Sequence, residues 1–281
     1  STSPSRRRPR RRPRLDPAAA WGESQWLVVW QDWRPGGWSD IYGARVAVWD
    51  TVRDESGFAI STQHFDEWSP AAAWGGSSWL VAWVDSRNSP NQFDIYCSRV
   101  TGDGQVLDPN GILLCSAVNG QILPDVSFDG TNWLVVWEDQ RSGYDKYEIY
   151  GARVTQAGAV LDPSGFNISE FQADLGQPAV SFNVTNYLVV GHDEHGGSLP
   201  TVRGRRVAPS GTLPDTASFE ISASWDQKQA DVAWDGTNWL VVWLDQNNSD
   251  ISARRIAPDA TSPDSQPFRV NGGSDWDDAP V

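Results

Sequence analysis

Residues Trp26–Asp32 read WLVVWQD, and that string returns as WLVAWVD at Trp79–Asp85 and WLVVWED at Trp133–Asp139. It returns again as YLVVGHD at Tyr187–Asp193 and as WLVVWLD at Trp239–Asp245. The leading aromatics are spaced by 53, 54, 54 and 52 residues. A period of that size built from short strands is the signature of a propeller or solenoid array. The five copies also align with one another, so the places where one departs from the rest stand out.

Working outward, each copy holds four strands. A short first strand precedes the quoted string: AAAW at Ala18 and Ala71, DVSF at Asp125, AVSF at Ala179 and DVAW at Asp231. Turns such as Asp129-Gly130-Thr131-Asn132 lead into the second strand, which is β-branched and aromatic on both faces, as a doubly covered strand requires. The third strand reads IYGARV at Ile41 and Ile149 and IYCSRV at Ile95, with weaker echoes at Val202 and Ile251. A short fourth strand follows a turn-rich link: FAIS at Phe58, ILLCS at Ile112, FNIS at Phe166, FEIS at Phe219 and FRVN at Phe268.

Twenty short antiparallel strands in five equal groups predict an all-β five-bladed β-propeller, with blades over 16–63, 69–117, 123–170, 177–222 and 229–272. Residues 278–281, Asp-Ala-Pro-Val, resemble the opening of another first strand. Two readings follow: a segment of a longer array, or a ring that uses its C-terminal residues to close.

The chain carries a net charge of −14, yet its first residues include Arg6, Arg7, Arg8, Arg10, Arg11, Arg12 and Arg14. Residues 1–15 are expected to be a disordered Arg/Pro-rich tail, since nothing in them builds a core. The body is therefore more acidic than the total implies, which argues against nucleic acid as a partner. There is no apolar run long enough to span a membrane. Cys97 and Cys115 fall on strands expected to be adjacent. Pairing Val100 with Ile112 would set the two cysteines opposite each other, so a cross-strand disulfide and two free buried thiols both stay open. The disulfide would imply an oxidising compartment, and the chain is expected to be secreted or periplasmic.

The core of each unit resembles the bacterial propeller repeats of TolB type. The matching residues are an Asp-x-Arg after the second strand and an Asp-Ile-Tyr opening the third: Asp32, Arg34, Asp40, Ile41, Tyr42; Asp85, Arg87, Asp94, Ile95, Tyr96; and Asp139, Arg141, Glu148, Ile149, Tyr150. The resemblance implies a propeller and leaves function open, because such scaffolds serve as enzymes, lectins and docking platforms. Tachylectin-like lectins and arabinanase-like glycosidases are also five-bladed, and no motif here selects either.

If the first strand is innermost, the links from second to third strand and from fourth strand to the next blade share one face. That face gathers His64, Trp68, Trp225 and residues 192–200. Trp68 and Trp225, with His64, are candidate substrate-binding residues, aromatic rings being suited to stack on sugars. The eleven tryptophans at repeat positions are expected to form core between blades. The aspartates ending the second strands, Asp32, Asp85, Asp139, Asp193 and Asp245, are expected to cap turns or pair with the nearby arginines.

The fourth copy breaks the pattern with Gly191-His192-Asp193-Glu194-His195, two of the three histidines in the chain. Gly191 replaces a Trp and is expected to open space. Asp125 and Asp231 replace Ala at the start of the flanking inner strands. His192, His195, Asp125 and Asp231 are thus candidate ligands of a divalent metal, Zn²⁺ or a similar ion, or Ca²⁺. In the catalytic reading, His192 or His195 acts as general base beside Asp193 or Glu194. The histidines alternatively reflect drift in one blade.

No nucleophile elbow, phosphate loop or His-Glu-x-x-His motif is present. The first expectation is therefore a metal-assisted hydrolase of an ester-like or phosphoester-like substrate beside blade four. The second is a non-catalytic carbohydrate- or protein-binding propeller. Either takes a small molecule or glycan, and the chain is expected to act as a monomer.

Overall fold

In the computed structural model the described residues are 15–34, 37–49, 51–89, 92–144, 146–169, 175–193, 201–222, 227–247 and 249–271, with backbone alone for Leu15, Leu175 and Asp193. Blade one consists of β1 (Leu15–Gly22), β2 (Gln25–Asp32), β3 (Asp40–Ala47) and β4 (Phe58–Ser61). Blade two consists of β5 (Glu67–Trp74), β6 (Ser78–Ser89), β7 (Gln92–Thr101) and β8 (Ile112–Cys115). Blade three is β9 (Gln121–Phe128), β10 (Asn132–Asp139), β11 (Glu148–Thr155) and β12 (Phe166–Asn167). Blade four is β13 (Leu175–Phe182), β14 (Tyr187–Asp193), β15 (Val202–Val207) and β16 (Phe219–Glu220). Blade five is β17 (Gln227–Trp234), β18 (Trp239–Asp245), β19 (Asp250–Ile256) and β20 (Phe268–Arg269). Each blade is a four-stranded antiparallel meander in sequence order, so the fold is the expected five-bladed β-propeller. Among the described residues no helix is long and apolar enough to cross a membrane.

The first strands are longer than the short apolar runs suggest. Each carries a bulge at which one residue takes a left-handed conformation: Asp16 (φ 51), Ser69 (φ 48), Leu123 (φ 53), Gln177 (φ 50) and Gln229 (φ 55). Bulges bend a strand and re-aim its side chains. Here the bulged stretches of all five inner strands line one central channel of ≈ 490 Å³.

The core lies between blades and repeats. Leu27, Ile41 and Ile60 of blade one receive Trp79 of blade two. Leu80, Ile95 and Leu114 receive Trp133, Leu134, Ile149 and Ile168 receive Tyr187, and Leu188, Val202 and Ile221 receive Trp239. Each inserted ring also donates a hydrogen bond to a backbone carbonyl of the preceding blade: Trp79 Nε1 to Ala20 at 3.2 Å, Trp133 Nε1 to Ala73 at 3.1 Å, Tyr187 Oη to Asn132 at 3.1 Å and Trp239 Nε1 to Ser181 at 3.2 Å. The rings come so close that a β-carbon at Gly75 would collide with Trp133, which is why the turn there is glycine. Most of the repeated tryptophans are core, as expected, but Trp21 and Trp26 of blade one remain about half exposed.

A second contact ties the blades at their outer edge. Arg45, Arg99, Arg153, Arg206 and Arg255 each clamp an aspartate nine residues on: Asp54, Asp108, Asp162, Asp215 and Asp264. The Arg45 guanidinium holds the Asp54 carboxyl below the ordinary carboxylate range. Four of these arginines also donate Nη1 to a turn carbonyl of the next blade, at Gly102, Gln156, Pro209 and Pro258.

The cysteines lie on adjacent strands, but the register is not the one that would bridge them. Cys97 pairs with Ile112, and Cys115 pairs with Ile95 across a bulge. Both are free, buried thiols. The disulfide fails because β8 meets β7 three residues nearer the start of β7 than the Val100–Ile112 pairing assumed.

Because Trp133 is fully buried and also satisfies a carbonyl, Trp133→Ala is expected to cost about 3–5 kcal/mol. Chemical denaturation of wild type and variant measures it.

Candidate functional site

Links on one face build the clearest pocket. It lies between blades one and two, encloses ≈ 280 Å³, and is lined by Gln31, Trp33, Trp38, Phe65, Asp66, Trp68, Ser86 and Phe93. Trp33 and Trp38 come from the β2–β3 link and Phe65 and Asp66 from the β4–β5 link, which are the two kinds of link expected to share a face. Aromatic rings brace one another around the pocket. Trp68 meets Phe93 edge-on at 5.0 Å and Trp38 meets Phe65 edge-on at 5.0 Å. His64 packs behind this wall, 4.1 Å from Phe65 and 5.8 Å from Trp38.

The polar side of the pocket is held rigidly. Asp66 Oδ1 accepts the Ser39 amide at 2.9 Å and lies 3.0 Å from Ser39 Oγ. Gln31 Nε2 donates to the same hydroxyl at 2.9 Å. Ser86 Oγ donates to the Asp66 carbonyl at 2.8 Å. These bonds leave Asp66 Oδ2 unengaged by the described residues. Asp40, next to Ser39, is half-buried, and burial pushes its carboxyl up to about 6, with the charges of Asp32 and Asp66 adding to the rise against Arg34. Burial among acids thus moves the Asp40 carboxyl toward the range in which a general acid works.

Behind the pocket, Glu67 is buried and sits directly opposite Asp85 in the β5–β6 ladder. Burial, with the Asp85 charge, drives its carboxyl well above the usual carboxylate range, against a Ser61 hydroxyl bond at 2.5 Å and Arg87 at 3.6 Å. Gln121 and Gln227 occupy the same place in blades three and five. A protonated glutamic acid thus fills a position that blades three and five give to its neutral isostere.

The second-strand aspartates behave as structural caps. Asp32, Asp85 and Asp139 each accept from the Trp two residues earlier at 2.8–3.0 Å. Each is also paired with the arginine two residues on. That arginine stacks over the third-strand tyrosine at 3.8–4.0 Å. Asp245 accepts from Asn247 instead.

The blade-four candidates are dispersed. His192 is fully buried in β14, paired in the ladder with Gly176 and Val202. Asp125 and Asp231 line the central channel. Asp125 accepts the Val126 and Val180 amides at 2.8 and 2.7 Å, and burial, reinforced by Asp231, pushes it up to about 6. His192 is not part of the channel lining. Among the described residues no group of three or more His, Cys, Asp or Glu side chains is placed to hold a metal ion. His195 and Trp225 lie outside the described residues, as does the side chain of Asp193. Gly191 does not open a usable space. A β-carbon there would meet Ile149 Cδ1 at 2.7 Å, and the adjoining cavity is ≈ 10 Å³, room for about one water.

Of the expected ligand-binding residues, Trp68 lines the pocket and His64 supports it. Sequence reasoning missed Phe65, Asp66 and Phe93 as wall residues and Asp40 as a titrating group. The available signal was local: the aromatics that break the repeat crowd into blades one and two at Trp33, Trp38, Phe65, Trp68 and Phe93.

No family model matches the chain, so the resemblance to TolB-type repeats finds no support there. No curated protein matches it either. Solved structures do. An α-L-arabinofuranosidase from Lactobacillus brevis is 14% identical, with 92% of this chain and 96% of that chain covered and a TM-score of 0.52. An enzyme from Xanthomonas citri, solved in complex with xylose, is 13% identical, with 94% of each chain covered and a TM-score of 0.50. A neuraminidase-like protein of a flat-faced bat isolate is 9% identical, with 92% of this chain and 72% of that chain covered and a TM-score of 0.58. None of the three is named for an ester or phosphoester. At these identities the likeness establishes the propeller fold alone.

Glu67 supplies a test of the electrostatics behind the pocket. The folded chain keeps its proton at pH values where an unfolded chain has lost it, so stability falls as pH rises above the ordinary carboxylate range. Glu67→Gln removes that dependence. Between about pH 5 and 8 the melting temperature of the variant is expected to change less than that of wild type. Parallel thermal scans across that range decide it.

Proposed function

We propose that the chain is a glycoside hydrolase that binds a sugar in the aromatic pocket between blades one and two. The observation that carries this reading is the pocket itself: five aromatic side chains converge on one carboxylate, Asp66, whose charge also reaches Asp40, outside the pocket lining. Sugar rings present apolar C–H faces that stack on Trp and Phe, while their hydroxyls need fixed polar partners. Gln31, Asp66 and Ser86 supply those partners. Support also comes from the solved neighbours named as an arabinofuranosidase and as an enzyme complexed with xylose. A glycoside thus takes the place of the ester-like or phosphoester-like substrate expected from blade four.

In this mechanism Asp40 acts as general acid. Its proton passes to the glycosidic oxygen as the bond from that oxygen to the anomeric carbon breaks. Asp66, pinned through Oδ1, directs Oδ2 at the anomeric centre or at the water that attacks it. Trp68 and Trp38 position the ring.

A second reading, a glycan-binding pocket without catalysis, is favoured by one observation. Asp40 occupies the repeat position also held by Asp94, Glu148 and Asp250, so its place in blade one is architectural as well.

The two readings separate in one experiment. Aryl arabinofuranosides and xylosides are assayed for hydrolysis and the free sugars for binding, in wild type, Trp68→Ala and Asp40→Asn. Catalysis predicts that Trp68→Ala loses binding and turnover together. Asp40→Asn keeps binding and loses about 10²–10⁴-fold in kcat, the range expected for removal of a general acid. Wild-type turnover falls as pH rises through about 6, because the protonated Asp40 is consumed. Sugar binding without turnover in wild type establishes the second reading, and neither binding nor turnover overturns both.

A further inference from the structure

The internal alignment isolates one seam from the other four. In blades one to four the Leu–Ile–Ile or equivalent face is at most 2% exposed, because the next blade covers it. In blade five the same positions are open: Leu240 is 36% exposed, Ile251 38% and Val270 57%. The complementary feature is open on blade one. The second-strand aromatic is 0% exposed in blades two to five, whereas Trp26 is 43% exposed. The outer clamp is also half-made: Arg255 pairs with Asp264 but has no turn carbonyl from another blade among the described residues, and its side chain is 48% exposed. The inner strands β1, β5, β9, β13 and β17 pack on one another in that order, and β17 makes no comparable packing with β1.

Among the described residues, blade five therefore presents a receiving face without an inserted ring, and blade one presents a ring without a receiving face. The first strands of both blades line one channel together with the other three inner strands. The chemistry of the missing partner can be read from the four filled seams. It must bring an aromatic ring with an N–H or O–H donor to Leu240, Ile251 and Val270. It must offer a turn carbonyl to Arg255, and a Leu–Ile–Ile face to Trp26.

We propose that this seam is an interaction surface for a sixth four-stranded unit of the same repeat, carried on the same polypeptide. A blade of the same repeat supplies all of these features at once. Blade-to-blade links here are short, as from Ser61 to Glu67 and from Cys115 to Gln121. A unit tethered that closely reaches an effective concentration on the order of millimolar, which a free partner does not. The proposal does not depend on the sugar pocket, which uses none of these residues.

The test compares the full chain with the same chain carrying a copy of residues 119–170 after Val281. Hydrogen exchange is followed in peptides covering 25–32, 239–256 and 268–270. Occupation of the seam predicts about tenfold slower exchange in all three and a higher melting temperature. The same fusion with Trp133→Ala in the appended copy is expected to lose the protection over 239–256 and 268–270. An unchanged exchange pattern in the folded fusion overturns the proposal. Two measurements on the unextended chain bear on it independently. Rapid formation of an intrachain disulfide in dilute Trp26→Cys/Leu240→Cys overturns it, since blade five then closes directly on blade one. Protection that grows with the concentration of the unextended chain overturns it too, in favour of a second copy as the occupant.

Discussion

Each blade depends on an aromatic ring it cannot bury by itself. A four-stranded sheet of this repeat is apolar on both faces, and a lone sheet leaves both wet. The second-strand Trp or Tyr resolves this by entering the preceding blade, where it covers a Leu–Ile–Ile face and satisfies a backbone carbonyl. Stability in such an array is a sum of unit and nearest-neighbour terms. The seams, rather than the sheets, hold the molecule together.

That constraint explains why the repeat is strict where it is strict. The Trp, the Leu after it, the third-strand Ile and the Arg–Asp clamp all serve a seam or a blade edge. The Trp–Asp–Arg–Tyr stack at the other end of the second strand organises the link into the third. Positions outside these duties are released from the repeat. The aromatic residues of the pocket between blades one and two lie among them, on a frame rigid enough to hold rings within 5.0 Å of one another. The same logic accounts for the half-exposed Trp26, a seam residue that no described blade covers.

Burial sorts the acids by role. Asp54 is bound to a guanidinium and stays ionised readily. Glu67 is forced to keep its proton by burial against Asp85, and behaves like the glutamines of its sister blades. Asp40 falls between these extremes, half-buried among carboxylates with one arginine in reach.

By itself the sequence determined the five units, the four strands in each, the meander order and the identity of the seam aromatics. All of these follow from a period and an alternation that local chemistry enforces. It also pointed to Trp68 and His64, because they depart from the repeat on the face where links converge. Only the tertiary structure decided the rest. Register set Cys97 against Ile112 and left two free thiols, since the offset of one strand along its neighbour cannot be read from spacing. Packing placed Ile149 in the room beside Gly191 and kept His192 away from Asp125 and Asp231, because strand direction, not nearness in the repeat, determines which side chains share a cavity. The pocket appeared only when residues 30 apart in sequence, as Trp38 and Trp68 are, were brought over one seam.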